Sequence, residues 1–365
     1  MLKTICYYIT DYGYGHATRS IAIIRSLFQH SGQSFRIIVC SGKALPFIQE
    51  SLKEYENAIS YRAISTDLGY FLQSGSIEPD LERLKYEFAL YMEEWPGIID
   101  REINFLLQEK VDLVVSDISP IPFAAADKLN MVSVGISNFT WYTAYEQMMD
   151  EQSLAFLYQA YSHMDYFLSL PGADEPDWGR LGHIQTNFFS RAASQQEVSK
   201  IKARLNPDGS KLIVYFALGM NISVNDLEEM SMWADDSCQF IVSSNMSLER
   251  SNVCVIPSED TESQNYLAAA DLVISKPGWG TVSEAVCFNK PLLLVDRKSF
   301  TEDQNTVKAL TGRHSYQKME WEMLKRTAVT RELVAAIEEQ DVQERAADRD
   351  LSLPSITGFL MNLLK

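Results

Sequence analysis

The sequence predicts an α/β protein made of two Rossmann-like domains, each a parallel sheet covered by helices, facing one another across a cleft. Three observations lead there. At 365 residues the chain exceeds one compact core and suits two domains of ordinary size. Short β-branched or aromatic runs alternate with helical stretches, the order that gives right-handed crossovers and a parallel sheet. The alternation halts in "PGADEPDWGRLGH", rich in Gly, Pro and Asp, and then restarts. The expected domains are 1–185 and 186–365, with a C-terminal helix placed to pack back on the first.

In the first half the strand-like runs are "TICYYIT", "FRIIVCS", "ISYRAIS", "VDLVVSD" and "MVSVGIS". Between them lie "HATRSIAIIRSLFQ", whose Ile21, Ile23, Ile24, Leu27 and Phe28 give an apolar face starting around Thr18, then "ALPFIQESLKEY", the long "LERLKYEFALYMEEWPGIIDREINFLLQEK" broken near Pro96, and "PIPFAAADKLN". The second half offers "KLIVYFALG", "CQFIVSSN", "NVCVIPS", "ADLVISKPG" and "PLLLVDR" as strands. Its helices are "DLEEMSMWA", "ESQNYLAAA", "GTVSEAVCF" and "TEDQNTVKAL", and "PSITGFLMNLLK" closes the chain as an amphipathic helix.

Hydrophobic residues at 46% and charged residues at 22% fit a soluble globular protein. With 32 Lys and Arg against 49 Asp and Glu, the formal charge of -17 repels nucleic acid and anionic lipid. No basic patch offsets it, so no nucleic-acid partner and no integral membrane contact are expected. A phosphate ligand would need aimed backbone N–H groups, helix N-termini and single cations. Cys6, Cys40, Cys238, Cys254 and Cys287 are scattered without C-x-x-C spacing, as in buried reduced thiols of a cytoplasmic protein. Met1 to Ile9 is too short a run for a signal peptide, and no run of about 18 apolar residues marks a membrane span.

Two stretches carry anion- and hydroxyl-binding chemistry. In "DLVISKPGWGTVSEAVCFNKPLLLVDR" a buried strand ends at Ser275, a glycine turn follows and a helix starts near Thr281. That helix N-terminus favours an anion by about 0.3 to 1 kcal/mol when exposed, which suits a diphosphate, with Glu284 one turn on and within reach of a ribose. A plain strand-turn-helix with a capping threonine fits the same residues. Lys276 stands next to the turn, as phosphate partner or solvated lysine. Asp303, Gln304 and Asn305 at a second helix start suit sugar hydroxyls or ordinary capping.

The opening "YYITDYGYGHATRSIAII" raises a different question. Gly13 and Gly15 let the backbone turn sharply, but the turn alone does not explain His16. Helix capping is one role for His16; proton transfer is the other. Arg19 reads as a structural residue or a phosphate cation, the first favoured. Trp141 and Tyr142, with Tyr12, are candidates for stacking on sugar faces, with aromatic core packing as the alternative.

Taken together, "GWGTVSEAVCFNKPLLLVDR" followed by "EDQNTVKAL" resembles the donor-binding signature of GT-B glycosyltransferases, in the branch containing the peptidoglycan N-acetylglucosaminyltransferase. "GYGHATR" and "VDLVVSDISPIPFAAADKLNMVSVGISNFTW" are similar to the glycosyltransferase-like domain fused to plant arabinokinases. The resemblance spans nearly the whole chain, with its segments in the family's order.

This resemblance implies a GT-B fold and transfer of a sugar from a UDP-linked nucleotide donor to an acceptor hydroxyl, with inversion, no metal and no cofactor. Gly278, Gly280 and Thr281 would hold the diphosphate, Glu284 the ribose, and Asp303 and Gln304 the donor sugar. Gly219 is what remains of a phosphate-side loop in "FALGMN", and the backbone amide of Ile256 would read the base. His16 would be the general base, oriented by Asp117, with Asp11 as rival base and Gly15, Trp141 and Tyr142 on the acceptor side. The loop Ser65 to Asp80 would read an acceptor that the sequence leaves unidentified. No D-x-D metal motif is apparent, and "DRD" at 348–350 lies in the wrong region for one. Two other readings stand beside transfer: a nucleotide-sugar hydrolase of the same fold, and a binding protein without chemistry.

Overall fold

The strand-forming runs build two parallel sheets, one in each of two units, in a computed structural model that describes residues 2–30, 34–219, 227–246, 248–340, 342 and 352–365. Unit 1 comprises Met1–Leu72, Pro79–Asn187 and Leu351–Lys365, and unit 2 comprises Gln73–Glu78 and Phe188–Asp350.

Unit 1 runs β1 (Lys3–Ile9), α1 (Tyr14–His30), β2 (Phe35–Ser41), α2 (Leu45–Ser51), β3 (Ile59–Ala63), α3 (Leu81–Gln108), β4 (Leu113–Asp117), α4 (Ile121–Lys128), β5 (Ser133–Ser137), α5 (Trp141–Tyr145), α6 (Glu151–Ser162), β6 (Tyr166–Ser169) and β7 (Gly182–Gln185). Its strands pair in parallel in the order β3-β2-β1-β4-β5-β6-β7. Central β1 is buried from Thr4 to Ile9 because helices cover both faces, so from Ile5 onward its sequence is a continuous apolar and aromatic run rather than alternating. Unit 2 follows with α7 (Gln195–Leu205), β8 (Leu212–Ala217), β9 (Cys238–Val242), β10 (Val253–Val255), α8 (Ser263–Ala269), β11 (Leu272–Ser275), α9 (Trp279–Cys287), β12 (Leu292–Val295), α10 (Thr301–Leu310), β13 (Tyr316–Met319), α11 (Trp321–Leu324) and α12 (Arg331–Glu338). Its order is β10-β9-β8-β11-β12-β13. The last helix, α13 (Ser352–Leu363), belongs to unit 1 and packs on α1, where Ser26 and Thr357 share a hydroxyl hydrogen bond of 2.8 Å.

In both units the strand order reverses direction beside the first strand: between β1 and β4 in unit 1, and between β8 and β11 in unit 2. Loops leaving such a pair at its carboxyl end diverge and open a crevice, which is where ligands of open α/β sheets bind.

The structure departs from the sequence reading at identifiable places. Helix α1 begins at Tyr14, so Gly15 lies in its first turn rather than before it, and α9 begins at Trp279, two residues ahead of Thr281. Helix α3 runs unbroken through Pro96, because Leu84, Phe88, Trp95, Ile98 and Leu106 bury one continuous face whose packing outweighs the lost hydrogen bond. "DLEEMSMWA" yields two short 3₁₀ turns, Leu227–Glu229 and Ser231–Ala234, with Asp226 outside the described residues. Strands β6, β7 and β13 are not among the strands the sequence predicts, and "PGADEPDWGRLGH", expected to end the first domain, carries the chain from β6 into β7. All five cysteines are free: Cys6, Cys40 and Cys238 are buried, while Cys254 and Cys287 are half-buried.

Gly179 makes the β6–β7 return possible. It has φ +90°, and a Cβ there would lie 2.4 Å from the Gly182 carbonyl and 2.8 Å from the Phe167 amide. Gly179→Ala is therefore expected to destabilise the protein by about 3 kcal/mol, against about 1 kcal/mol for Gly209→Ala, whose Cβ would meet nothing within 4 Å. Urea denaturation of the two variants measures the difference, and equal losses would contradict the tight return.

Candidate active site

The unit 1 site is assembled where β1 and β4 end side by side, with Ile9 opposite Asp117. Gly13 takes φ +91° and turns the chain directly into α1. That helix sets His16 and Arg19 one turn apart on the same side, both against Asp117. His16 Nδ1 is 2.9 Å from Asp117 Oδ1 and 2.8 Å from Arg19 Nη2. Arg19 donates to both carboxylate oxygens, with Nε 2.7 Å from Oδ2, and also to Asn138 Oδ1 at 2.7 Å and Ser137 Oγ at 3.1 Å. Ser20 Oγ adds a bond to Oδ2 at 3.1 Å. Burial alone would raise the Asp117 carboxyl, but Arg19 and then His16 outweigh it and bring it down to about 2. His16 is buried, and its imidazole stands edge-on to Phe139.

Asp11, on the same loop, faces another way. Its Oδ1 accepts from Gly42 N at 2.8 Å and Ser41 Oγ at 3.2 Å, holding the turn between β2 and α2. Trp141 is 1% exposed, stacked on Tyr145 and edge-on to Tyr12, Tyr70 and Phe139, so core packing leaves it no face for a sugar. Tyr142 is half-buried beside Tyr158 and Trp178. Asp67 was not singled out from sequence, yet its Oδ2 accepts the Trp141 Nε1–H at 2.9 Å. Burial pushes its carboxyl up to about 7; bonds from Thr10 and Trp141 oppose this, and the charges of Asp11 and Asp117 add to it.

In unit 2 the loops after β8 and β11 converge on Lys276. Ideal Cβ positions at Gly219, φ +94°, and at Gly278 would lie 3.1 and 3.2 Å from Lys276 Cε, so these glycines admit the lysine between two turns. Burial and then Arg297 lower its ammonium to about 8, with Asp303 and Glu302 pulling the other way. Gly278 is the N-cap of α9 and supplies no capping side chain; Gly280 and Thr281 follow in the first turn. Glu284 is buried and ion-paired with Arg191 at 3.0 Å. Asp303 is buried against Arg297 Nε at 2.6 Å, and Gln304 Nε2 donates to the Arg297 carbonyl at 2.9 Å. The Ile256 amide donates to the Val242 carbonyl at 2.8 Å, which corrects the expectation for this residue: a base cannot use that N–H without breaking a bond that extends the sheet. Of "FALGMN", Met220 and Asn221 lie outside the described residues, as does "DRD" at 348–350.

Residues 239–350 match the glycosyltransferase family 28 C-terminal domain. The chain is 26% identical over 305 residues to L-arabinokinase of Arabidopsis thaliana; the match covers 81% of this chain and 28% of that protein's length. Among solved structures, the glycotransferase of kitacinnamycin superposes with a TM-score of 0.64 at 14% identity, covering 100% of both chains. SnogD from Streptomyces nogalater gives 0.61 at 14% identity, also covering 100% of both. Arabidopsis thaliana UGT89C1 complexed with UDP-L-rhamnose gives 0.60 at 13% identity over 99% of this chain and 94% of that one. The chain has the GT-B fold.

Within this GT-B frame His16 and Asp117 in unit 1, and Gly219, Lys276 and Gly278 in unit 2, stand at the reversal point of their own sheet. Sequence reasoning missed Asp67, Arg191 and Arg297, while the structural role it favoured for Arg19 agrees with the bonds to Asp117, Asn138 and Ser137. Arg191 and Arg297 are each 1% exposed, and an isolated arginine in a polar stretch gives no signal that it will be buried. Among the described residues no group of three or more His, Cys, Asp or Glu side chains could hold a metal, and no helix is long and apolar enough to cross a membrane.

The Asp117 pairing has a measurable consequence. Its folded value of about 2 lies below the ordinary 3.8, so the stability it contributes is present in full above pH 4 and lost as pH falls through 2. Asp117→Asn leaves Arg19 buried without its counter-charge and is expected to cost about 3 kcal/mol at pH 7. In urea titrations the gap between variant and parent should narrow below pH 4; a gap that does not vary with pH would contradict the pairing.

Proposed function

We propose that this chain is a glycosyltransferase that moves a sugar from a UDP-linked donor to an acceptor hydroxyl, with inversion at the anomeric carbon and without a metal. The observation that carries the reading is the His16 imidazole held against Asp117 and Arg19 at the reversal point of the first GT-B unit. The family 28 match over the second unit and the UDP-L-rhamnose complex of a neighbour of the same fold support the choice of donor.

With Asp117 ionised, the tautomer that donates Nδ1–H to Oδ1 carries its lone pair on Nε2. That nitrogen takes the proton of the acceptor hydroxyl as the hydroxyl oxygen bonds to the anomeric carbon. The bond from that carbon to the donor diphosphate breaks in the same step, and the diphosphate departs with the electron pair. A single displacement inverts the centre, and the imidazolium formed rests against the Asp117 carboxylate. General-base catalysis of this kind is worth about 10²- to 10⁴-fold. The diphosphate lies at Gly278, Gly280 and Thr281, where the amino end of α9 and Lys276 supply positive charge, with Gly219 bordering it. Glu284 takes the ribose, and Asp303 and Gln304 the sugar. Gly15, Tyr142 and the 65–80 loop read the acceptor.

The test is His16→Ala assayed with UDP-sugars against monosaccharide and polyphenol acceptors. Transfer should fall by about 10²- to 10⁴-fold while UDP affinity by calorimetry stays within about threefold. Unchanged transfer would remove His16 from the mechanism. Free sugar released from donor alone as fast as with any acceptor would assign hydrolysis, and UDP binding without turnover would assign a binding protein.

A further inference from the structure

The residues that open unit 2, Phe188–Arg191, are stitched onto the helix proposed to hold the donor. Phe188 and Phe189 place their rings against Trp279 at the start of α9. Phe189 N donates to Ser283 Oγ at 3.0 Å, and Ser283 Oγ returns a bond to the Phe189 carbonyl at 2.6 Å. Arg191 then reaches Glu284, the next residue along α9. Its Nε and Nη2 both end on Oε1, at 3.3 and 3.0 Å, so the guanidinium engages one of the two carboxylate oxygens. The rest of the fork is anchored independently: Nη1 donates to the Thr261 carbonyl at 2.6 Å, and Nη2 to Ser263 Oγ at 3.0 Å.

We infer that Arg191 is a positioning residue for nucleotide recognition, fixing Glu284 as a carboxylate in one rotamer so that Oε2 reads the ribose hydroxyls. The inference rests on the donor reading of α9 proposed above. Burial, with the charge of Glu262 adding to it, holds the Glu284 carboxyl above its ordinary value, and Arg191 is the charge that opposes this rise toward the neutral form. A neutral acid keeps a proton on one oxygen and loses acceptor capacity, whereas a carboxylate accepts from two hydroxyls at once. Lysine cannot stand in for the arginine, because a single ammonium cannot span Thr261, Ser263 and Glu284 together.

Calorimetry on the whole chain with UDP, GDP and ADP, each alongside its 2′-deoxy form, tests the inference. The parent should prefer one ribonucleotide over its 2′-deoxy form by about tenfold, a difference of about 1.4 kcal/mol. Glu284→Gln should remove that preference. Arg191→Lys should also bring it to about one, with 2′-deoxy affinity changed by less than about threefold, a pattern that general loosening of the fold would not produce. Ser263→Ala removes one anchor of the fork without burying a charge, and should lower the preference part-way even if Arg191→Lys does not fold. A full preference retained in folded Arg191→Lys, or in Ser263→Ala where the lysine variant does not fold, overturns the inference. A parent that binds nucleotides without preferring ribose overturns it too, leaving the donor reading standing. A parent that binds none of them overturns the donor reading, and the inference with it.

Discussion

A guanidinium sealed at the point where the first sheet changes direction needs a counter-charge, and Asp117 is that charge. Once Arg19 and Asp117 are committed to one another, much else in unit 1 follows. The carboxylate is fixed at the carboxyl end of β4, α1 must start early enough to present two residues one turn apart, and Gly13 must take a positive φ for the chain to turn that fast. His16 is then held by a group that cannot move. Burying charge this way contributes little net stability relative to an apolar core, but it defines geometry, because removing either charged partner strands the other.

The second unit repeats the device with different residues. Arg191 with Glu284 and Arg297 with Asp303 are both buried ion pairs, and both carboxylates are residues that the GT-B resemblance assigns to the donor. A carboxylate meant to accept hydrogen bonds from a ligand must stay ionised inside a protein that disfavours charge. An arginine behind it opposes the cost of burying that charge, because the guanidinium is a positive charge set against the carboxylate. The acidic surface makes the same point on a larger scale: with a formal charge of -17 the overall field repels a diphosphate, so attraction for one would have to come from aimed groups such as Lys276 and the amino end of α9.

The sequence made the buried strands legible and the edges obscure. "FRIIVCS" coincides with β2, and "VDLVVSD" ends with β4 at Asp117, because a strand covered on both faces carries a near-continuous apolar run. Strand β7, "GHIQ", lies at a sheet edge and is largely exposed, so nothing in its composition separates it from a loop. The glycine turns were legible for the same reason that the arginines were not. A glycine marks a backbone geometry wherever it occurs, whereas burial of Arg19, Arg191 or Arg297 depends on which carboxylate the fold brings beside it. Asp67 belongs with them: its environment is assembled from Thr10, Trp141 and two distant aspartates, and no local pattern records that meeting.

Everything proposed for His16 depends on which ring nitrogen carries the proton, because Nδ1 lies within hydrogen-bonding distance of both an acceptor, Asp117 Oδ1, and a donor, Arg19 Nη2. The ¹⁵N shifts of the imidazole at neutral pH read this directly in the intact protein. The expected result is a protonated Nδ1 and an unprotonated Nε2, the form able to accept a proton from an alcohol. A protonated Nε2, with Nδ1 accepting from Arg19, would contradict the account and leave His16 a structural member of the ion cluster.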